Sequence, residues 1–185
     1  MSNKLKELTW AHHQSAERRA FARDLIKGTI HPHKYYIFLL CQLRNYVALE
    51  NATSIPEHLE PIKRADRIYQ DVKELENIYG YEEPQQLPAS VEEYENHIKT
   101  LKEKGDNEAL LAHMYTRHFG ELHGGQIIKK VVKEKLHGPT NMYEFEGDKQ
   151  YLIDEFRTLL HDGMADEAKI CFEFASKLFD ELSED

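Results

Sequence analysis

Residues 113–136 read HMYTRHFGELHGGQIIKKVVKEKL, and the fold is decided by how this stretch is understood. Both ends show the apolar spacing of a helix, yet Gly120, Gly124 and Gly125 stand in the middle. Each glycine inside a helix costs roughly 0.5–1 kcal/mol relative to alanine, so three oppose it by roughly 2–3 kcal/mol. Something has to offset that cost. Gly120 and Gly124 are four apart and share a face, where another body can approach the bare backbone and the helix can kink. Polar residues interleave with the glycines: Tyr115, Thr116, Arg117, Glu121, His123 and Gln126. Buried polar groups demand partners, which makes the strip a poor design for packing alone. On this pattern a ligand-facing helix and close helix–helix packing stand level, and a helix that stops at 120 and restarts after 125 is a third reading.

Outward from this stretch the chain reads as helices separated by proline and glycine. The pattern predicts helices over about 4–27, 32–50, a third reaching about 79, 90–104, the long segment 108–137, 148–161 and 165–182. Gly28 is a suitable helix stop, Pro32 a suitable first helical residue, and Ser90-x-x-Glu93 fits a capping box. No run alternates in the manner of a strand, nothing repeats at a fixed period, and no linker separates two domains. The expectation is one all-α domain over residues 1–185, a helical bundle.

Composition narrows the function. The 24 Lys and Arg against 33 Asp and Glu leave a net charge of −9, which argues against nucleic acid as a partner. The longest apolar run, residues 37–41, is far too short to span a bilayer, and the first ten residues lack the apolar stretch of a secretory signal. Two cysteines, Cys41 and Cys171, are too few for a disulfide framework, so a soluble, cytoplasmic protein is expected. Eleven histidines are unusual, and which of them carries chemistry is the open question.

One candidate lies in the first helix. Lys6 and His13 are two turns apart on one face, about 10 Å along the axis. That separation suits a flat ligand with a metal at its centre and acidic groups at one edge: His13 ligating the metal, Lys6 neutralising a carboxylate. Glu17, one turn further on, could fix the imidazole through its other ring nitrogen or a water. Spacing alone favours the plainer alternative of solvated helix residues. His12 reads as a residue at the edge of the core.

Taken together, these segments resemble the heme oxygenase family. Tyr115 to Gln126 (YTRHFGELHGGQ) is similar to the family's distal-helix signature, and HQSAE, from His13 to Glu17, resembles the segment carrying its proximal histidine. YVALE, from Tyr46 to Glu50, and EAKICFEFASKLFDEL, from Glu167 to Leu182, look like further family helices, in the family's order along the chain. The resemblance implies heme held between the first helix and a glycine-kinked distal helix, with His13 as the axial iron ligand and Gly120 and Gly124 lying close over the macrocycle. It implies Lys6 and Arg157 paired with heme propionates, Phe172 as an aromatic wall, and Tyr46, Tyr115, Thr116 and Arg117 in the distal pocket and its hydrogen-bond network. The activity implied is O2- and electron-dependent opening of heme b, at once substrate and cofactor, to biliverdin of the IX-alpha type, with release of CO and Fe2+.

The chain departs from the family pattern at several positions. Glu121 stands where the family usually has aspartate, and is expected still to anchor the distal waters, which makes it a catalytic candidate. His123 stands where a small serine is common. Ile153 replaces a propionate-binding lysine, for which Lys149, on the same face as Arg157, is the candidate substitute. Electrons must come from outside, because no dinucleotide or flavin signature is present; a ferredoxin or a reductase is implied, and Arg18, Arg19, Arg23, Lys27 and Lys34 could dock it. A monomer without nucleic-acid or membrane partners is expected. Three rivals stay open: a heme carrier or sensor without turnover, a non-heme metal oxidase of helical fold, and a helical interaction module. The only Glu-x-x-His of di-iron type is Glu134 to His137, and such bundles need two.

Overall fold

In the computed structural model, which describes residues 3–119 and 122–184, the predicted first helix breaks in two. α1 (Asn3–Glu17) ends where Arg18 and Arg19 turn the chain; Arg19 is extended (φ −63°, ψ 145°) and starts α2 (Ala20–Lys27). α2 stops at Gly28, whose φ of 72° lets its N–H reach Leu25 O while Thr29 N–H reaches Asp24 O at 2.9 Å. This paired closure needs a left-handed residue, which glycine supplies without strain. A side chain at this position would also meet the Lys135 side chain, which would have to move aside.

α3 (Pro32–Ala52) is the central helix. Pro32 opens it as expected, and His31 caps it, Nδ1 accepting from His33 N–H at 3.1 Å. α4 (Ala65–Tyr79) ends at Gly80. α5 (Ala89–Glu103) begins two residues earlier than the capping-box reading requires, with Pro88 rather than Ser90 at the N-cap, so the box does not form. Ser90 lies inside the helix, its N–H donating to Glu181 at 3.3 Å, and Glu93 pairs with Lys177. Both residues are engaged by the last helix instead.

The predicted long helix proves to be α6 (Asn107–Met114), a π-helical stretch (Tyr115–Phe119), α7 (Leu122–Val131) and a second π stretch (Val132–Leu136). It ends at His137, in the left-handed region at φ 52°, rather than at the following Gly138. α8 (Lys149–Arg157), capped by Asp148, and α9 (Ala165–Ser183) complete the chain. No strand occurs among the described residues.

Two cores hold these helices together. One gathers Phe21, Leu25, Tyr35, Phe38, Leu39, Phe172 and Phe179; the other Leu5, Leu49, Tyr94, Leu110, Met114, Phe156 and Cys171. α3 and α9 contribute to both, and α9 packs along α1, α2 and α6. α9 thereby sets α1 opposite the π stretch of residues 115–119, which also lies against it.

Candidate functional site

Between α1, α2, α9 and the first π stretch lies a cleft of about 780 Å³, the solvent at its mouth included. Leu25, Ile128, Leu178 and Phe179 make it mainly apolar; its polar groups are His13 and Glu17 on one side and Thr116, Arg117 and Gln42 on the other. His13 stands on the α1 wall, one fifth of its side chain exposed, with Trp10 and Phe172 at ring-centroid distances of 5.3 and 5.4 Å. Its Nε2 is 2.6 Å from Glu17 Oε1, one helical turn away. The predicted Glu17 contact therefore exists, on Nε2. Ligation of a metal through that nitrogen has to displace Glu17.

Facing His13, the π stretch turns polar groups inward. π turns within α-helices occur often at functional sites, because the extra residue re-aims side chains. Thr116 Oγ1 donates to Ala112 O at 3.1 Å. Arg117 is buried; its Nη1 donates to Gln42 Oε1 at 3.2 Å, and its guanidinium lies 4.0 Å from the centre of the Tyr94 ring. Burial works against the Arg117 charge, but Tyr94, Cys171 and Tyr46 around it hold its pKa above the ordinary arginine value. Arg117 Nε and His118 Nδ1 are buried without a hydrogen-bond partner among the described residues.

On the other side of Arg117 a second hollow of about 400 Å³ is bordered by Tyr46, His118, Gly125, Gln126 and Tyr143. Tyr46 OH donates to the Arg117 carbonyl at 2.7 Å. His118 Nε2 is 2.7 Å from Glu50 Oε2, and Glu50 also accepts from the N–H groups of Arg64 and Ala65 at the start of α4. Burial pushes the Glu50 carboxyl up, yet the His118 bond and charge and those two N–H groups outweigh it and hold the pKa below the usual value. One carboxylate thus ties the π stretch to both α3 and α4.

The predicted site residues fall into groups. His13, Glu17, Thr116, Arg117 and Phe172 line the first cleft, and Tyr46 supports the π stretch from the second. Tyr115, half-buried, lies between Thr9 of α1 and Arg157 of α8. Arg157 is exposed and pairs with Asp154 at 3.6 Å; Lys6 is exposed, 5.9 Å over the Trp10 ring. Lys149 lies elsewhere, 5.3 Å over the Phe145 ring, its pKa lowered by burial and by Lys129 and Arg64. His12 pairs with Glu173 at 3.3 Å and is not among the residues of the cleft. Gly120 and Glu121 lie outside the described residues, as do the side chain of His123 and the surroundings of Gly124.

Sequence reasoning missed Gln42, Glu50, Tyr94 and His118. A signal existed for two of them. Gln42, Asn45, Tyr46 and Glu50 repeat at helical spacing along α3 among many apolar residues, and a polar stripe there marks groups with buried partners.

The fold and the cleft define an all-α protein with a histidine wall set against a buried cationic wall, shaped for a flat and mostly apolar ligand. Arg117, which lines this cleft, carries a buried Nε–H that no described residue accepts and that such a ligand or its waters would satisfy, so the residues present fit heme. The chain belongs to the heme oxygenase family, which it matches over residues 1–181. It is 28% identical to heme oxygenase 2 of Macaca fascicularis, with all of this chain and 66% of that protein aligned. It is also 28% identical to heme oxygenase 2 of Synechocystis, over 92% of this chain and 74% of the other. Among solved structures, heme oxygenase-1 of Synechocystis in complex with heme superposes with a TM-score of 0.83 at 25% identity, covering 98% of this chain and 91% of that one. Heme oxygenase from Leptospira interrogans superposes at 0.82 and 26% identity, covering 96% and 97%. The chain thus spans just under two thirds of the macaque protein's length and nearly all of the bacterial structures.

Proposed function

We propose that this protein is a heme oxygenase that opens heme to biliverdin with release of CO and ferrous iron, the activity of its family. The observation that carries the reading is His13 on the wall of an apolar cleft, opposite the Arg117 face of a π-interrupted helix. Bound heme supplies the iron that activates O2 and the macrocycle that is cleaved. The chain's own residues supply the rest. His13 would hold the iron through a neutral imidazole, a ligand without the strong electron push of a thiolate. Phe172 and the Leu25, Ile128 and Leu178 side chains cover the flat faces and keep bulk water out. Arg117 lines the cleft with a buried positive charge, which would stabilise negative charge on a ligand held there. Gln42 and the Tyr94 ring lock its orientation.

Glu121 is assigned the anchoring of distal waters, and Gly120 and Gly124 the close approach of backbone to the macrocycle. Lys6 and Arg157, both exposed near the Tyr115 end of the site, pair with the propionates, and Lys149 assists from the Phe145 side. Electrons arrive from a ferredoxin or a reductase. Arg18, Arg23 and Lys27 are exposed on adjoining turns of α1 and α2 and suit an acidic donor, while Arg19 is paired with Asp180 at 3.1 Å. Both cysteines are free and buried, and no described helix is long and apolar enough to cross a membrane, which supports a cytoplasmic location.

The test is direct. Hemin added to the purified protein is expected to give a Soret band that decays, once a reducing system is added, as biliverdin and CO appear. A stable heme complex without turnover would make the protein a carrier. His13→Ala is expected to remove the axial-ligand signature; an unchanged spectrum would move the ligand to another residue.

A further inference from the structure

Outside the cleft, three helices bring together side chains that the heme reading does not use. His97 on α5, His113 on α6 and Glu167 on α9 converge so that their ligand atoms all lie within 4.8 Å of one another. His97 Nε2 is 2.5 Å and His113 Nε2 is 2.8 Å from the same oxygen, Glu167 Oε1. His113 is fully buried, whereas about a quarter of His97 and a fifth of Glu167 are exposed, so the cluster has a solid floor and a way in from solvent.

We propose that His97, His113 and Glu167 form a binding site for a divalent transition-metal ion of the zinc class. Two imidazoles and a carboxylate are a common ligand set for such ions, and three protein ligands leave the fourth position to water on the exposed side. Metal–ligand bonds of about 2.0–2.1 Å put tetrahedral donor atoms roughly 3.3–3.4 Å apart, so each imidazole withdraws from Glu167 by less than about 1 Å while the two imidazoles close on each other by at most about 1.5 Å. The carboxylate charge is compensated by the ion. An outer partner is already in place, because Tyr94 OH lies 2.9 Å from His113 Nδ1. A metal-bound histidine ordinarily donates its second N–H to such a group, which fixes tautomer and ring orientation.

The proton arrangement differs between the two states. With Nε2–H of His113 donated to Glu167, Nδ1 accepts from the Tyr94 hydroxyl. With an ion on Nε2, the proton resides on Nδ1 and is donated to the Tyr94 oxygen. The Tyr94 O–H is then free to point elsewhere, and Cys171 Sγ is 3.9 Å away. Tyr94 also carries the Arg117 guanidinium on its ring face, and Arg117 and Cys171 both border the His13 cleft. The metal site is therefore one hydrogen bond removed from the wall of that cleft, although it does not depend on heme being the ligand there.

The experiment uses the full-length, untagged, heme-free protein, stripped with a chelator and titrated with Co2+. A visible d–d absorption that saturates at one equivalent and is displaced by Zn2+ is expected. His97→Ala and Glu167→Gln are each expected to weaken binding at least tenfold, with helix content unchanged by circular dichroism. His13→Ala is expected to keep the band. Absence of binding in Co2+ excess, binding indifferent to both substitutions, or loss of the band in His13→Ala would each overturn the proposal and leave the cluster a hydrogen-bonded network.

Discussion

The carboxylate of Glu50 is the point at which the structure makes its sharpest quantitative demand. Glu50 is buried on α3 and accepts from His118 Nε2 at 2.7 Å, Arg64 N at 2.7 Å and Ala65 N at 3.1 Å. Truncation to alanine removes three charge-assisted bonds and strands two backbone N–H groups at the start of α4 and one imidazole N–H. Each stranded buried donor costs about 1–3 kcal/mol, so Glu50→Ala should destabilise the fold by about 3–5 kcal/mol. For a domain of this size 1 kcal/mol is about 2–4 °C in Tm, which places the expected drop at about 10 °C. Glu50→Gln should cost less. The amide oxygen, at the Oε1 position, still accepts from Ala65 N–H, and the NH2 at the Oε2 position can donate to His118, which can hold its own proton on Nδ1, so only the Arg64 N–H is left stranded.

The pH dependence follows from the direction of the shift. The folded-state pKa of Glu50 lies below its ordinary value of 4.5. Its stabilisation is therefore complete above the unfolded-state pKa and is lost as pH falls through the lower folded value. Melting curves by circular dichroism for the parent and both variants, from neutral pH to about 3, should show differences that shrink in acid. A Glu50→Ala protein melting within 2 °C of the parent at neutral pH, on the scale of about 2–4 °C per kcal/mol, would refute the assignment. So would a difference that does not narrow in acid.

Tyr46→Phe removes the 2.7 Å bond to the Arg117 carbonyl; a stability loss of about 1–2 kcal/mol is expected in denaturant titration, with heme binding altered more than helix content. Lys6→Ala and Arg157→Ala should each weaken heme binding by about two- to fivefold, and added salt should diminish the difference, because both side chains are exposed. Heme titration at low and high ionic strength measures this, and no change in either variant would place the propionates elsewhere. Gly28→Ala forces a left-handed alanine against Lys135 and should lower stability by about 1–3 kcal/mol without loss of the His13 ligand signature.

Much of the fold was legible in the order of residues. Helix ends at Gly28 and Gly80 and the start at Pro32 stand where local chemistry puts them, because caps and prolines act within a few residues. Where the capping-box expectation failed, distant partners had taken up its groups. Ser90 and Glu93 form no capping box because α9 engages both, and the first helix breaks at Arg18 and Arg19, a pair carrying no glycine or proline to announce it. His137 rather than Gly138 takes the left-handed turn.

The site divides in the same manner. His13, Glu17 and the glycine-rich stretch are local patterns: their spacing alone sets which faces they share, and a cluster of glycines in a helix announces an unusual approach. Spacing to His13 also singled out Lys6, and family resemblance added Arg157 and Phe172 by position. Tertiary structure alone decided that Gln42 and Tyr94 hold Arg117, that Glu50 pins the π stretch to α4, and that Lys149 lies near Lys129 rather than beside Arg157. It alone also brought His97, His113 and Glu167, 16 and 54 residues apart, onto one oxygen. The physical reason is range. Propensity and periodicity are carried by neighbours in the chain, whereas hydrogen bonds and ligand sets are satisfied by whichever helix packing brings within 3 Å.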